Sequence, residues 1–104
     1  MQPLYDSRGA HIANAVNDRL HSPSGANIGH FLKHEGIFVD MRGRYLGEIV
    51  LGNRLMRSRR SKYEAVNFGS RGNYGNAGYV GTRSSVATVW QVTDYEDIST
   101  EALR

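Results

Sequence analysis

A chain that repeats one outline four times within its first 67 residues is constrained before composition is considered. Each unit must fold alike, and alike units bury a face against one another. The stretches are "LYDSRGAHIANAV" (4–16), "LHSPSGANIGHFL" (20–32), "FVDMRGRYLGEIV" (38–50) and "LMRSRRSKYEAVN" (55–67). Each opens on an apolar pair (half apolar at Leu20-His21), runs through a turn tetrapeptide, and ends in a second apolar segment. That second segment contains Ile12, Ile28, Leu46 or Tyr63.

The tetrapeptides are "DSRG", "SPSG", "DMRG" and the departing "RSRR". Asp or Ser favours the first turn position because its side chain accepts from backbone N–H groups two residues on. Pro23 has its φ already set for the next position. Gly9, Gly25 and Gly43 then supply the positive φ that makes a bulged hairpin corner. Arg60 stands where the fourth glycine belongs. Either a non-glycine residue is strained there, or the fourth hairpin has another geometry.

One place after Ile12, Ile28, Leu46 and Tyr63 stand Ala13, Gly29, Gly47 and Glu64. Glycine inside a strand usually marks the close approach of a neighbouring backbone. Apolar Ala15-Val16, Phe31-Leu32 and Ile49-Val50 follow, so these strands are expected to be buried on both faces. "ND" (17–18) and "GN" (52–53) suit two-residue links between units. The expected fold is all-β: four sequential β-hairpin repeats over 3–67, forming a small barrel- or propeller-like assembly with little exposed edge. One domain is the economical reading of 104 residues, and twelve glycines against two prolines fit a chain of tight turns.

Beyond the repeat, residues 68–85 read as a Gly/Asn-rich loop. "VATVWQVT" (86–93) reads as a C-terminal strand anchored by Trp90. Residues 94–104 form an acidic tail, with a short helix capped at Ser99.

The φ-x-x-x-x-G-x-x-φ-G units resemble the four-fold β-flower domain, a group of small bacterial proteins of unknown function. The similarity covers roughly residues 3–67, strongest over "LYDSRG…IANA" and "FVDMRGRYLGEI". It implies a low-complexity link before an aromatic-containing C-terminal segment, which residues 67–98 follow in outline. "GRYLGEIV" is more distantly similar to the "G-x-x-I-G-x-V" of PRC-barrel domains. Neither resemblance implies catalytic residues.

Three chemistries were weighed. Asn14, His30 and Glu48 occupy equivalent repeat positions, with Ala65 in the fourth. Around a pseudo-axis such positions form a ring, where His and a carboxylate can hold a metal ion or a small polar ligand. The plainer reading is that they face solvent, as His11, His21 and His34 are also expected to do rather than bind a metal. Second, Arg54, Arg57, Arg59, Arg60, Lys62, Tyr63, Arg71 and Tyr74 interleave cations with aromatics, the composition of single-strand nucleic-acid binders. As edge-strand residues the same cations would discourage aggregation instead. Third, the C-terminal strand is a candidate for exchange with a second copy, giving a homo-oligomer.

No nucleophile–base set stands out, and with no cysteine there is no thiolate chemistry. The chain therefore reads as a non-enzymatic binding or assembly module, with no catalytic residue, cofactor or metal assigned. No apolar run approaches the ~20 residues of a membrane span, and the N-terminus lacks a secretory pattern, so a cytoplasmic location is expected. Charge is divided: Arg42, Arg44, Arg54, Arg57, Arg59, Arg60 and Lys62 face Glu48 alone, whereas Asp94, Glu96, Asp97 and Glu101 dominate the tail. Such asymmetry draws an anionic partner, or lays the tail across the basic region.

Overall fold

A computed structural model describes residues 1–70, 72, 75 and 94–103. Eight strands follow one another: β1 (Gln2–Tyr5), β2 (His11–Val16), β3 (Arg19–His21), β4 (Asn27–Leu32), β5 (Ile37–Asp40), β6 (Tyr45–Val50), β7 (Arg54–Ser58) and β8 (Tyr95–Asp97). Strands β1 to β7 form an antiparallel meander that closes on itself. Because seven strands alternate in direction, the first and last run parallel, and Tyr5 opposite Arg54 is their one paired position. The protein is thus a closed seven-stranded barrel with one extra strand. Among the described residues, no helix is long and apolar enough to cross a membrane.

The three glycine-bearing turns share one construction. The Asp6 carboxylate accepts from the N–H groups of Arg8 and Ala10 at 3.0 and 2.9 Å, and Asp40 does the same for Arg42 and Arg44. Gly43 has φ 84°, and a Cβ there would collide with the backbone of Gly69. The register shift falls three residues later than the glycines. It leaves Ile12, Ile28 and Leu46 as the extra residue, since Leu4 pairs with Ala13 while Tyr5 pairs with His11, and so on around the barrel.

A bulge of this kind turns two consecutive residues toward the interior, so the second must be small. Ala13 is that residue in the first unit, Gly29 and Gly47 in the next two. A Cβ on Gly47 would lie 2.7 Å from the Met56 carbonyl oxygen and 2.7 Å from Ile98 Cδ1. The interior is filled by Leu4, Ala13, Leu20, Ile28, Phe38, Leu46, Leu55, Ile98 and Leu103.

The fourth unit departs from the expected hairpin. Residues 61–67 do not return along β7, and Arg60 is not at positive φ. The partner of β7 is β8, drawn from what sequence reading assigns to the acidic tail: Met56 pairs with Asp97 and Ser58 with Tyr95. Asp94 takes the left-handed turn position instead, with φ 65°, and its carbonyl accepts from Arg59 N–H. The residue after β8, Ile98, then enters the core where the repeat would put Tyr63. Tyr63 packs with Phe68 outside the barrel, over Ile37, Val39 and Tyr45. A polar "RSRR" corner cannot supply the left-handed glycine, so the chain leaves at Ser58 and the return strand comes from residue 95.

A 3₁₀ turn (Thr100–Leu103) follows, with Ser99 Oγ accepting from Glu101 N–H. The expected strand at 86–93, with Trp90, lies outside the described residues. The link written "GN" is a three-residue loop, Leu51-Gly52-Asn53, because Val50 pairs with Arg54. The link at Asn17-Asp18 has the expected two residues.

If Ile98 rather than Tyr63 fills the fourth core place, Ile98→Ala should lower unfolding free energy by about 2–5 kcal/mol. Tyr63→Ala, which strips only an outer contact, should cost clearly less in the same denaturant titration.

Candidate functional site

The sequence offered two groups of candidate residues, and the structure treats each differently. Asn14, on β2, is fully buried, and its Oδ1 accepts from His11 Nε2 at 2.9 Å. His30, on β4, is buried opposite Val39 of β5. Glu48, on β6, accepts from Tyr45 at 3.2 Å and from Tyr95 of β8 at 2.6 Å. For Asn14 and Glu48 the contact runs to the residue three places earlier, which the bulge brings onto the same face. Among the described residues no three His, Cys, Asp or Glu side chains gather closely enough to hold a metal ion. His11 and His21, expected at the surface, are both buried, and the Nδ1–H of His21 donates to the Gly25 carbonyl at 2.8 Å across its own turn, whereas His34 is exposed as expected.

Glu48 instead ties the inserted strand to the barrel. Its two oxygens hold Tyr45 on its own strand and Tyr95 two strands away, and Tyr45 Oη also accepts from Ser58 N–H at 2.8 Å. Donation to the Glu48 carboxylate pushes the Tyr95 hydroxyl up to about 12, with burial and the carboxylate's charge acting in the same direction. The Tyr45 hydroxyl is also raised, by burial first, against the lowering effect of the Ser58 N–H.

The basic segment is largely committed within the fold. Arg54 is buried at the barrel seam, where it donates to the Asp6 carbonyl and to Asn53 Oδ1, each at 3.1 Å. Arg57 pairs with Glu64, donates to the Tyr45 carbonyl at 3.0 Å and lies over the Tyr45 ring. Arg59 pairs with Glu96 and Arg60 with Asp94, so the acidic residues around β8 screen the end of β7. Lys62 stays exposed, over the Tyr63 ring. Arg71 and Tyr74 lie outside the described residues.

A third place comes from the meander itself. In an up-and-down barrel the corners gather at one end and the links at the other. At the corner end Ile98 and Leu103 enter the core, and the 3₁₀ turn packs on β2. At the link end the barrel opens into a cavity of about 540 Å³. Its walls are Ala15, Val16, Phe31, Phe38 and Ile49, with Met1, Gln2, Asn17 and Asp18 around the rim. The strand ends expected to be buried on both faces are only half-buried here: Ala15-Val16, Phe31-Leu32 and Ile49-Val50.

This mouth was missed in reading the sequence, although its signal was present. Each second strand ends in two adjacent apolar residues, and only one of two adjacent strand positions can face the interior. A second cleft, of about 700 Å³, lies beside the third turn. Its charged groups, Asp40, Arg44, Arg57 and Glu64, are of both signs, and two of them already pair. Neither a known protein-family model, nor a curated protein, nor a solved structure matches the chain.

The Tyr95–Glu48 contact has a readable consequence at high pH. The folded value of Tyr95 lies above the ordinary ~10 of a free tyrosine, so the contact's full contribution is present below pH ~10. It is lost as pH rises through about 12. Tyrosine absorbance at high pH should show a late-ionising component in the native protein, reduced in Tyr95→Phe to what Tyr45 contributes. In Glu48→Gln it should shift back toward the ordinary value.

Proposed function

We propose that the protein is a non-enzymatic binding or assembly module whose working surface is the open, apolar mouth at the link end of the barrel. The observation that supports this best is the difference between the two ends. At the corner end the chain's own Ile98 and Leu103 enter the core and the cleft beside them is lined by charges of both signs, two of them paired, whereas the link end keeps a mainly apolar wall without a covering segment among the described residues. Mouths of small barrels are recurrent binding sites, and 540 Å³ falls in the size range of small-ligand pockets.

The polar groups support a non-enzymatic reading, since buried His11, Asn14 and His21 and half-buried Glu48 are joined to neighbours that brace turns and strands. Nucleic-acid binding through 53–83 draws less support, because Arg54 and Arg57 are bonded within the fold and the exposed Arg59 and Arg60 lie beside the carboxylates of Glu96 and Asp94.

An uncharged, environment-sensitive dye such as Nile red, titrated at low protein concentration, should bind saturably with a blue shift. Ile49→Glu, which puts a charge in the wall, should abolish that signal, and Arg59→Ala, far from the mouth, should leave it intact. Absence of saturable binding, or binding indifferent to Ile49→Glu, rejects the mouth as the site.

A further inference from the structure

The rim of the mouth carries a residue that local stability does not explain. Leu51, in the β6–β7 link, has φ 53° and is 65% exposed. In the β2–β3 link the left-handed positions are held by Asn17 and Asp18, residue types that tolerate this conformation. A branched aliphatic side chain does not, and exposing it to water adds nothing to the monomer. Backbone strain of this kind persists where a site uses it.

Leu51 shares its end of the barrel with the mouth, since Ile49, two residues before it, is part of the wall. Gln2 at the rim donates to the carbonyl of Gly52, the next residue in the link. Met1, 56% exposed, lies on the same rim. One end of the molecule therefore presents both an apolar knob and an apolar hole. The charges around it are of both signs, with Lys33 3.1 Å from Asp18 and both side chains at least half exposed.

From this self-complementarity we infer that the mouth is covered by a second copy of the chain. The two barrels meet link end to link end across a two-fold axis, and Leu51 of each inserts into the cavity of the other. In a two-fold contact every knob meets the partner's hole, and Asp18 of one copy can face Lys33 of the other without unpairing a charge. The inference rests on the mouth being the working surface, and it names the occupant. It places the interface at the opposite end of the barrel from β8, so it does not require strand exchange.

Sedimentation equilibrium of the full chain, from about 1 µM to about 1 mM, tests it. The wild type should show a monomer–dimer equilibrium. Leu51→Asn should weaken it by at least about tenfold, roughly the loss of one well-buried anchor. The same variant relieves the strain, so its melting temperature, measured dilute where the wild type is monomeric, should rise by roughly 4–8 °C. Nile red binding per chain should fall as the wild type dimerises, because the partner fills the cavity.

A wild type monomeric throughout, or a dimer indifferent to Leu51→Asn, overturns the inference, the latter pointing to another interface such as exchange of the strand expected at 86–93. If dye binding survives in either case, the mouth stands as a site for an occupant other than a second copy. If dye binding and dimerisation are both missing, the proposed site falls as well.

Discussion

The barrel closes at a single residue pair, Tyr5 opposite Arg54, and the rest of the molecule is arranged around how little backbone bonding that seam provides. The edge of β7 that faces away from β6 is divided. Its first residue meets β1, and Met56 to Ser58 meet β8. Side chains join what the ladder leaves apart. Buried Arg54 donates to the Asp6 carbonyl, and Asp97 at the end of β8 accepts from both the N–H and the hydroxyl of Ser7, at 2.8 and 2.6 Å. A buried guanidinium is costly unless its donors are satisfied, so these contacts are specific as well as cohesive.

The same seam explains the asymmetry of the two ends. Since β8 fills only the far part of the β7 edge, the residues after it arrive at the corner end, and Ile98 and Leu103 enter the core there. Tyr95 and Glu48 hold this segment from the outer face, across β7. Among the described residues nothing comparable reaches the link end, where three short loops meet around half-buried aliphatic and aromatic side chains. The inserted segment thus adds its apolar side chains to the core at one end only.

Much of the architecture was legible. Asp6, Ser22 and Asp40 with their glycines specify three corners through local side chain–backbone hydrogen bonds, which depend on a few adjacent residues. The fourth unit was legible only as an exception. Arg60 marks the missing glycine, but the replacement strand is three residues long and is set in an acidic stretch without alternating hydrophobicity. Tyr95 and Asp97 are recognisable as partners only once Glu48 and Ser7 are in place. The polar positions Asn14, His30 and Glu48 were equivalent in the repeat, yet each is placed by its own neighbours.

The sequence by itself determined the repeating unit, the chemistry of its corners and the small residues that follow each bulge, because these obey local backbone sterics. Only the tertiary structure decided which segment completes the fourth unit, which arginines meet partners within the fold and at which end Ile98 and Leu103 enter the core. Those outcomes rest on contacts between residues as much as ninety positions apart, such as Ser7 with Asp97. No short-range pattern encodes them, since they exist only after the meander has curled far enough to bring its first strand beside its seventh.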